Sequence, residues 1–240
     1  PGGLLNNVDI ADLGATGVIV AASDRNDPAV AAIRLYRLDT STAKLEPLGK
    51  VKGGRGEAYG LCLFVNGDVL HAVSVLKGGT VEEYRLEGLA PGEAPRSVPV
   101  LTRVLGSQPE GCVVDPRNGT LYVGEEVRGI WRFAAGAKEG ELVAATDGEH
   151  LVADVEGLAI LPEGSDGGWL VASSQGDDAF ALYRLPGMAP AGRFRIGAGS
   201  FGATEETDGI ALNGQSFGRA YPGGLFVAQD GANPPRAQNF

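Results

Sequence analysis

The chain has 240 residues, of which 38 are Gly and 14 are Pro; 43% are hydrophobic and the formal charge is −10. Gly at more than twice its usual share of about 7% excludes a mostly helical protein, and clustered apolar residues exclude disorder. The excess of acid excludes nucleic acid and anionic membrane as partners and favours metal cations.

The apolar runs predict β-strands in repeating groups. The first group holds Asn7–Ile10, Val18–Arg25 and Ala32–Arg37. The second holds Tyr59–Leu63, Leu70–Lys77 and Val81–Arg85, with an Asn66-Gly67 turn between the first two runs. The third holds Glu110–Val114, Leu121–Glu126 and Gly129–Phe133, with a turn at Asn118-Gly119. The fourth holds Glu156–Ile160, Leu170–Gln175 and Ala179–Arg184, with a turn at Asp166-Gly167. The fifth holds Asp208–Leu212 and Leu225–Asp230. The last four groups open on a side chain with a polar tip followed by Gly60, Gly111, Gly157 and Gly209, in steps of 51, 46 and 52 residues. Three or four antiparallel strands at that period describe the blades of a propeller. About five blades are present, and a single propeller domain over residues 1–240, truncated at both ends, is the expectation.

The equivalent openings predict that Glu110, Glu156 and Asp208 converge on one end of the central channel. The ends of the second strands add Asp24, Arg25, Lys77, Glu125, Glu126, Gln175 and Asp230 at a related level. Like charges that close stay ionised together only beside a cation. An oxygen-rich donor set favours a hard ion, Ca²⁺ over Zn²⁺. Glu125 and Glu126 also fit a solvated pair, and Asp177-Asp178 reads as a solvated turn. Cys62 and Cys112 read as small buried core residues, and His71 and His150 as structural. No apolar run approaches the roughly 18 residues of a membrane span. Pro1–Gly3 reads as an internal start compatible with a removed secretory leader, so a secreted or periplasmic location is expected.

Several stretches, taken together and in order, resemble the β-propeller phytases, also called alkaline 3-phytases. They are Leu5–Ile10, Ala21–Arg25, Glu110-Gly111 with Gly124–Glu126, Asp154–Leu158, Ala172–Gly176, Thr207–Ile210, Gly224–Gly231 and Gln238–Phe240. The resemblance implies an all-β, six-bladed β-propeller. It also implies Ca²⁺-dependent removal of phosphate from phytate (myo-inositol hexakisphosphate) by a metal-activated water. On this resemblance Glu110, Glu126, Asp154, Glu156 and Asp208 are catalytic calcium ligands, joined by Gln175. Arg25, Tyr59 and Lys77 are phosphate binders. Asn6, Asn7 and Asp9 match a stretch that supports a structural calcium, and Asp230 and Asn233 match the late ligand region. The expected partner is calcium phytate, bound by a monomer.

The chain departs from that family in three places. Gly78 stands where the family has Glu, Ser200–Thr204 lacks an Asp, and nothing matches the family's initial Asp-Asp-Pro-Ala segment and phosphate-binding Lys. Two rivals stay open on those grounds: a non-catalytic calcium-binding propeller module, and another calcium-dependent propeller hydrolase such as a lactonase. Other phosphatase chemistries find no motif. Cys112 and Arg117 are one residue too close for a Cys-x5-Arg loop, and a Gly-x-Ser-x-Gly elbow is missing.

Overall fold

A computed structural model describes residues 3–200 and 202–232. Asn233 and the Gln238–Phe240 motif lie outside the described residues. The first sheet contains β1 (Leu5–Asp12), β2 (Val18–Asp24), β3 (Val30–Asp39) and β4 (Lys44–Arg55). The second contains β5 (Ala58–Asn66), β6 (Val69–Leu76), β7 (Thr80–Glu87) and β8 (Arg96–Val104). The third contains β9 (Pro109–Val114), β10 (Leu121–Glu125), β11 (Gly129–Phe133) and β12 (Glu141–Ala145). The fourth contains β13 (Val155–Glu163), β14 (Gly167–Ser174), β15 (Ala179–Leu185) and β16 (Ala189–Phe194). A pair, β17 (Ile210–Asn213) with β18 (Leu225–Ala228), makes the fifth.

Every strand pairs antiparallel with its sequence neighbour in the same sheet. The inner strands of successive sheets then adjoin: β1 beside β5, β5 beside β9, β9 beside β13, β13 beside β17. This is an all-β propeller arrangement with four complete blades among the described residues.

Alternation along each strand explains the packing. On β6, Leu70 and Ala72 enter the core shared with the first sheet, while Val73 and Val75 enter the core shared with the third. On β14, Leu170 and Ala172 pack toward the third sheet and Val171 toward the fifth. A blade between two others buries both faces, so its second strand carries apolar residues on both faces. The first sheet lacks a described neighbour on one side. Val8 and Ile10 are 64% and 56% exposed there, although the residues at the equivalent positions of the other sheets, Leu61 and Leu63, Cys112 and Val114, and Leu158 and Ile160, are all at most 9% exposed.

The outermost strands β4, β8, β12 and β16 were not among the named runs. They lie at sheet edges with mostly exposed side chains, so their sequence carries little apolar signal. Each pairs through a register shift, and Pro47, Pro99 and Pro190 sit in three of them. Bulges and Pro at an edge block pairing with other chains. At the fourth hairpin the left-handed residue is Gly164 (φ 61°), not Gly167, because the loop is one residue longer than the Asp166-Gly167 signal suggests.

The cysteines are buried as expected, but they form a disulfide, Cys62–Cys112. It joins β5 to β9, inner strands of different sheets. Their separation of 50 residues is one less than the 51-residue step from Gly60 to Gly111, so the two side chains lie on opposite faces of their sheets and meet in the core between them.

Candidate active site

Three positions recur at the same end of each sheet. Leu5 pairs with Asp24 and Val8 with Ala22, so one extra residue bulges from β1 between them. The same bulge follows Ala58 in β5, Pro109 in β9 and Val155 in β13. Bulges re-aim side chains beside functional sites. Here the bulge residues are Asn6, Tyr59, Glu110 and Glu156, and Asp208 precedes β17 at the matching point. An exit residue follows each second strand: Arg25, Lys77, Glu126 and Gln175. A lead residue precedes each inner strand, and its carbonyl accepts the exit residue's N–H: Leu4 from Arg25 (3.0 Å), Glu57 from Lys77 (3.1 Å), Gln108 from Glu126 (3.0 Å) and Asp154 from Gln175 (2.9 Å).

The glycines that follow Tyr59, Glu110 and Glu156 have a steric cause. A Cβ on Gly60 would overlap the Glu110 carbonyl, one on Gly111 the Glu156 carbonyl, and one on Gly157 the Asp208 carbonyl. Inner strands approach too closely for any side chain there.

Glu110, Glu126 and Glu156 come together, each offering an oxygen within 4.8 Å of the others. Sequence register had grouped Glu110, Glu156 and Asp208; the structure substitutes Glu126 in the tightest group and sets Asp208 beside it. Asp208 accepts from Gln175 Nε2 (2.7 Å), and its N–H donates to Gln229 Oε1 (2.8 Å). Glu110 accepts from Asn6 Nδ2 (3.0 Å), and Glu126 accepts from Gln108 Nε2. Glu156 Oε2 is buried with no hydrogen-bond partner.

Burial pushes Glu156 far up from the carboxylate range, reinforced by Glu110, Glu126 and Asp208. Burial also raises Glu110, with Asp208 and Glu126 adding to it. Glu126 rises by burial and the charges of Asp154 and Asp208, while Gln108 and Lys77 oppose the rise. Asp208 is raised by burial and by Glu206. The cluster carries more negative charge than its buried setting tolerates alone.

Beside this cluster, the Arg25 guanidinium lies 5.0 Å and Lys77 Nζ 5.1 Å from the Tyr59 ring centroid. Arg25 Nε donates to Glu57 Oε1 (2.9 Å), as does Nη2, and Nη1 reaches Asn6 Oδ1 at 3.4 Å. Burial, then the charges of Glu110, Glu126 and Glu156, push the Tyr59 hydroxyl above its usual range. It therefore stays protonated and can donate.

The remaining candidates are placed elsewhere. Asp9 accepts backbone N–H groups from Leu63 (2.7 Å) and Ile10 (2.7 Å), outside the three-carboxylate group. Asp24, Glu125 and Asp230 fall one register position before the exit residues and brace neighbouring groups. Asp24 takes Arg34 Nε (2.6 Å). Glu125, fully buried rather than solvated, takes Ser107 N and Oγ (both 2.6 Å) and Trp131 Nε1 (2.7 Å). Asp230 takes the Glu205 N–H (3.2 Å). Asp177 is also not a free turn residue: it pairs with Arg193 (2.5 Å) and Arg195 (2.9 Å). His71 bonds Glu83 (3.0 Å) and His150 bonds Asp147 (2.7 Å), both structural as expected.

Sequence reasoning missed Glu57, Gln108 and Gln229. A signal existed for two of them: Glu57, Gln108 and Asp154 each stand two residues before a bulge residue, and only Asp154 had been singled out.

Comparison with known proteins follows the same blades. A family model described as Phytase matches residues 1–240. The 3-phytase of Bacillus subtilis (strain 168) is 34% identical over 254 residues, covering 98% of this chain. The chain spans 65% of the length of that relative. Two solved structures, "COPII on membranes, outer coat vertex" and "The structure of the COPII coat assembled on membranes", superpose with a TM-score of 0.63 at 9% identity. Each match covers 96% of this chain, and 58% and 32% of theirs respectively. At that identity the likeness is one of fold alone.

Proposed function

The chain belongs to the phytase family, and on that premise we propose that it is a calcium-dependent phosphohydrolase that releases phosphate from phytate. The observation that carries this reading is the pairing of two opposite chemistries at one channel end. Glu156 Oε2 lies orphaned among carboxylates, and beside them stand Arg25, Tyr59 and Lys77.

The donor set fits a hard cation. Every candidate atom is oxygen, and the histidines and cysteines among the described residues are engaged elsewhere. Glu110, Glu126 and Glu156, with Asp154, Gln175 and Asp208 around them, would hold calcium; Asn6 borders the group. Asp9 and Asp230 would belong to separate structural sites. Calcium held there would supply neutralising charge, attraction for phosphate and acidification of water. The chain's own part is binding and orientation. The Arg25 fork and the Lys77 point charge hold phosphate oxygens. The protonated Tyr59 hydroxyl donates to another oxygen.

We further read the blades as part of a six-bladed ring in one domain. The exposure of Val8 and Ile10, against the burial of their counterparts, supports a neighbouring blade. The protein acts as a monomer outside the cytoplasm, and the Cys62–Cys112 bond supports that location because disulfides persist in oxidising compartments.

The test is release of inorganic phosphate from calcium phytate at neutral to alkaline pH, with and without EDTA. Release that EDTA abolishes is expected. No release in calcium would sink the enzyme reading, and calcium binding without release would leave the non-catalytic module in its place.

A further inference from the structure

Two cations over one Tyr59 ring repel each other, and a guanidinium on a flexible side chain has several orientations open to it. The structure answers both problems with one residue. Glu57 Oε1 accepts from Arg25 Nε at 2.9 Å and from Nη2. That contact occupies the side-on edge of the guanidinium. Beyond that edge, among the described residues, the guanidinium makes only the longer side-chain contact of Nη1, which leaves it room to donate to a further oxygen. Nη1 points to Asn6 Oδ1 at 3.4 Å, and Asn6 Nδ2 in turn bonds Glu110 Oε1 at 3.0 Å. Glu57, Arg25, Asn6 and Glu110 thus form one chain of contacts running from the cationic side of the channel into the carboxylate cluster.

The position of Glu57 in the fold strengthens the point. It is the lead residue of the second sheet, in the register that Gln108 and Asp154 hold in the third and fourth. Its backbone carbonyl holds the Lys77 N–H at 3.1 Å, while its side chain reaches back to Arg25 of the first sheet. One residue therefore fixes the backbone of one cation and the head group of the other. The Arg25 hydrogen bond holds the Glu57 carboxyl below the usual range, with the charges of Arg25 and Lys77 adding to it. It stays ionised at neutral pH.

We propose that Glu57 is a positioning residue for phosphate binding, which clamps one edge of Arg25 so that the other is presented to a substrate phosphate beside Lys77 and Tyr59. This rests on the phosphohydrolase reading and adds to it the residue that sets the geometry of its phosphate subsite. Glu57 touches no reacting atom; it acts through Arg25.

The test is steady-state hydrolysis of phytate in calcium chloride by the wild type, Glu57→Ala, Glu57→Gln, Arg25→Ala and the Glu57→Ala/Arg25→Ala double variant. Glu57→Ala is expected to raise KM about tenfold, the loss of one oriented charge-assisted contact, with kcat changing less than about threefold. Glu57→Gln keeps an acceptor oxygen and is expected to fall between. In the Arg25→Ala background, Glu57→Ala is expected to add less than about twofold, since both act on one contact. An unchanged or lowered KM in Glu57→Ala, or full additivity in the double variant, overturns the proposal. Should Glu57→Ala fail to fold, the near-isosteric Glu57→Gln decides it on the same KM criterion. Should the wild type release no phosphate, the underlying reading falls first. Titration with inorganic phosphate by calorimetry then decides the role of Glu57: weaker binding by Glu57→Gln upholds it, and equal binding overturns it.

Discussion

In the first two blades the bulge residues are Asn6 and Tyr59 and the exit residues Arg25 and Lys77; in the next two they are Glu110 and Glu156, with Glu126 and Gln175. The backbone device is the same throughout: a one-residue bulge, a lead carbonyl bonded to the exit N–H, and an inner strand pressed against the next. Only the side chains differ. On the proposed function, the first half would need no added cation to meet phosphate, because Arg25 and Lys77 carry positive charge, and the second half would meet an anion only after a metal had reversed its sign. The scaffold thus sets where groups stand, and two or three residues per blade set what they do.

The sharpest break of this comparison is Glu156→Gln. It removes a charge from the acidic half and leaves the cationic half intact. Phosphate release in calcium should fall about 100-fold or more, the scale for losing one preorganised electrostatic group. In EDTA the same variant should melt no lower than the wild type, because neutral Gln matches the protonated carboxyl that burial favours there. A variant that keeps its rate, or melts markedly lower in EDTA, would show that Glu156 is a structural group.

The seam between the halves is the next target. Cys62–Cys112 ties the strand bearing Tyr59 to the strand bearing Glu110. Replacing both cysteines by Ser should cost about 2–3 kcal/mol in denaturant unfolding, within the range for a native disulfide. An unchanged midpoint would mean that the interblade core alone holds the seam.

The smallest effect separates the halves by pH. Without calcium, the folded-state values of Glu110, Glu126, Glu156 and Asp208 lie above the ordinary carboxylate range. The folded chain then holds protons more tightly than the unfolded one. Stability is fully present below about pH 4, the unfolded value, and is lost as pH rises through the folded values. Each unit of raised value corresponds to about 1.4 kcal/mol. Calcium should offset this loss, so its gain in melting temperature should be larger at about pH 8 than at about pH 4.5. Equal gains at both pH values would break the assignment of the acidic half as the metal site.

Much of the fold was legible because its signal is local. The runs Leu70–Lys77 and Leu170–Gln175 are apolar on both faces, and that alone marks a strand between two partners. The outer strands were less legible, since Lys44–Arg55 sits at an edge where exposed residues and Pro47 are tolerated. In the site, Glu110 and Glu156 were visible through the repeated Gly that follows them. Glu126 was visible as a polar end of a second strand, and the resemblance to known phytases set it apart from Glu125. Glu57 and Gln108 were not seen, because a polar residue before a strand is ordinary in any sequence. Glu125 looked as suitable as Glu126, yet one step in register turns it into a fully buried brace for Ser107 and Trp131.

By itself the amino-acid sequence determined the period and the strand order within each blade, since hydrophobic alternation and glycine spacing are written along the chain. Only the tertiary structure decided which groups meet. The union of Glu126 with Glu110 and Glu156, the grip of Glu57 on Arg25 and the Cys62–Cys112 bond each join different strands, most of them in different blades. Such contacts depend on bulge, register and the spacing between sheets, which are set when blades pack face to face and not by any segment alone.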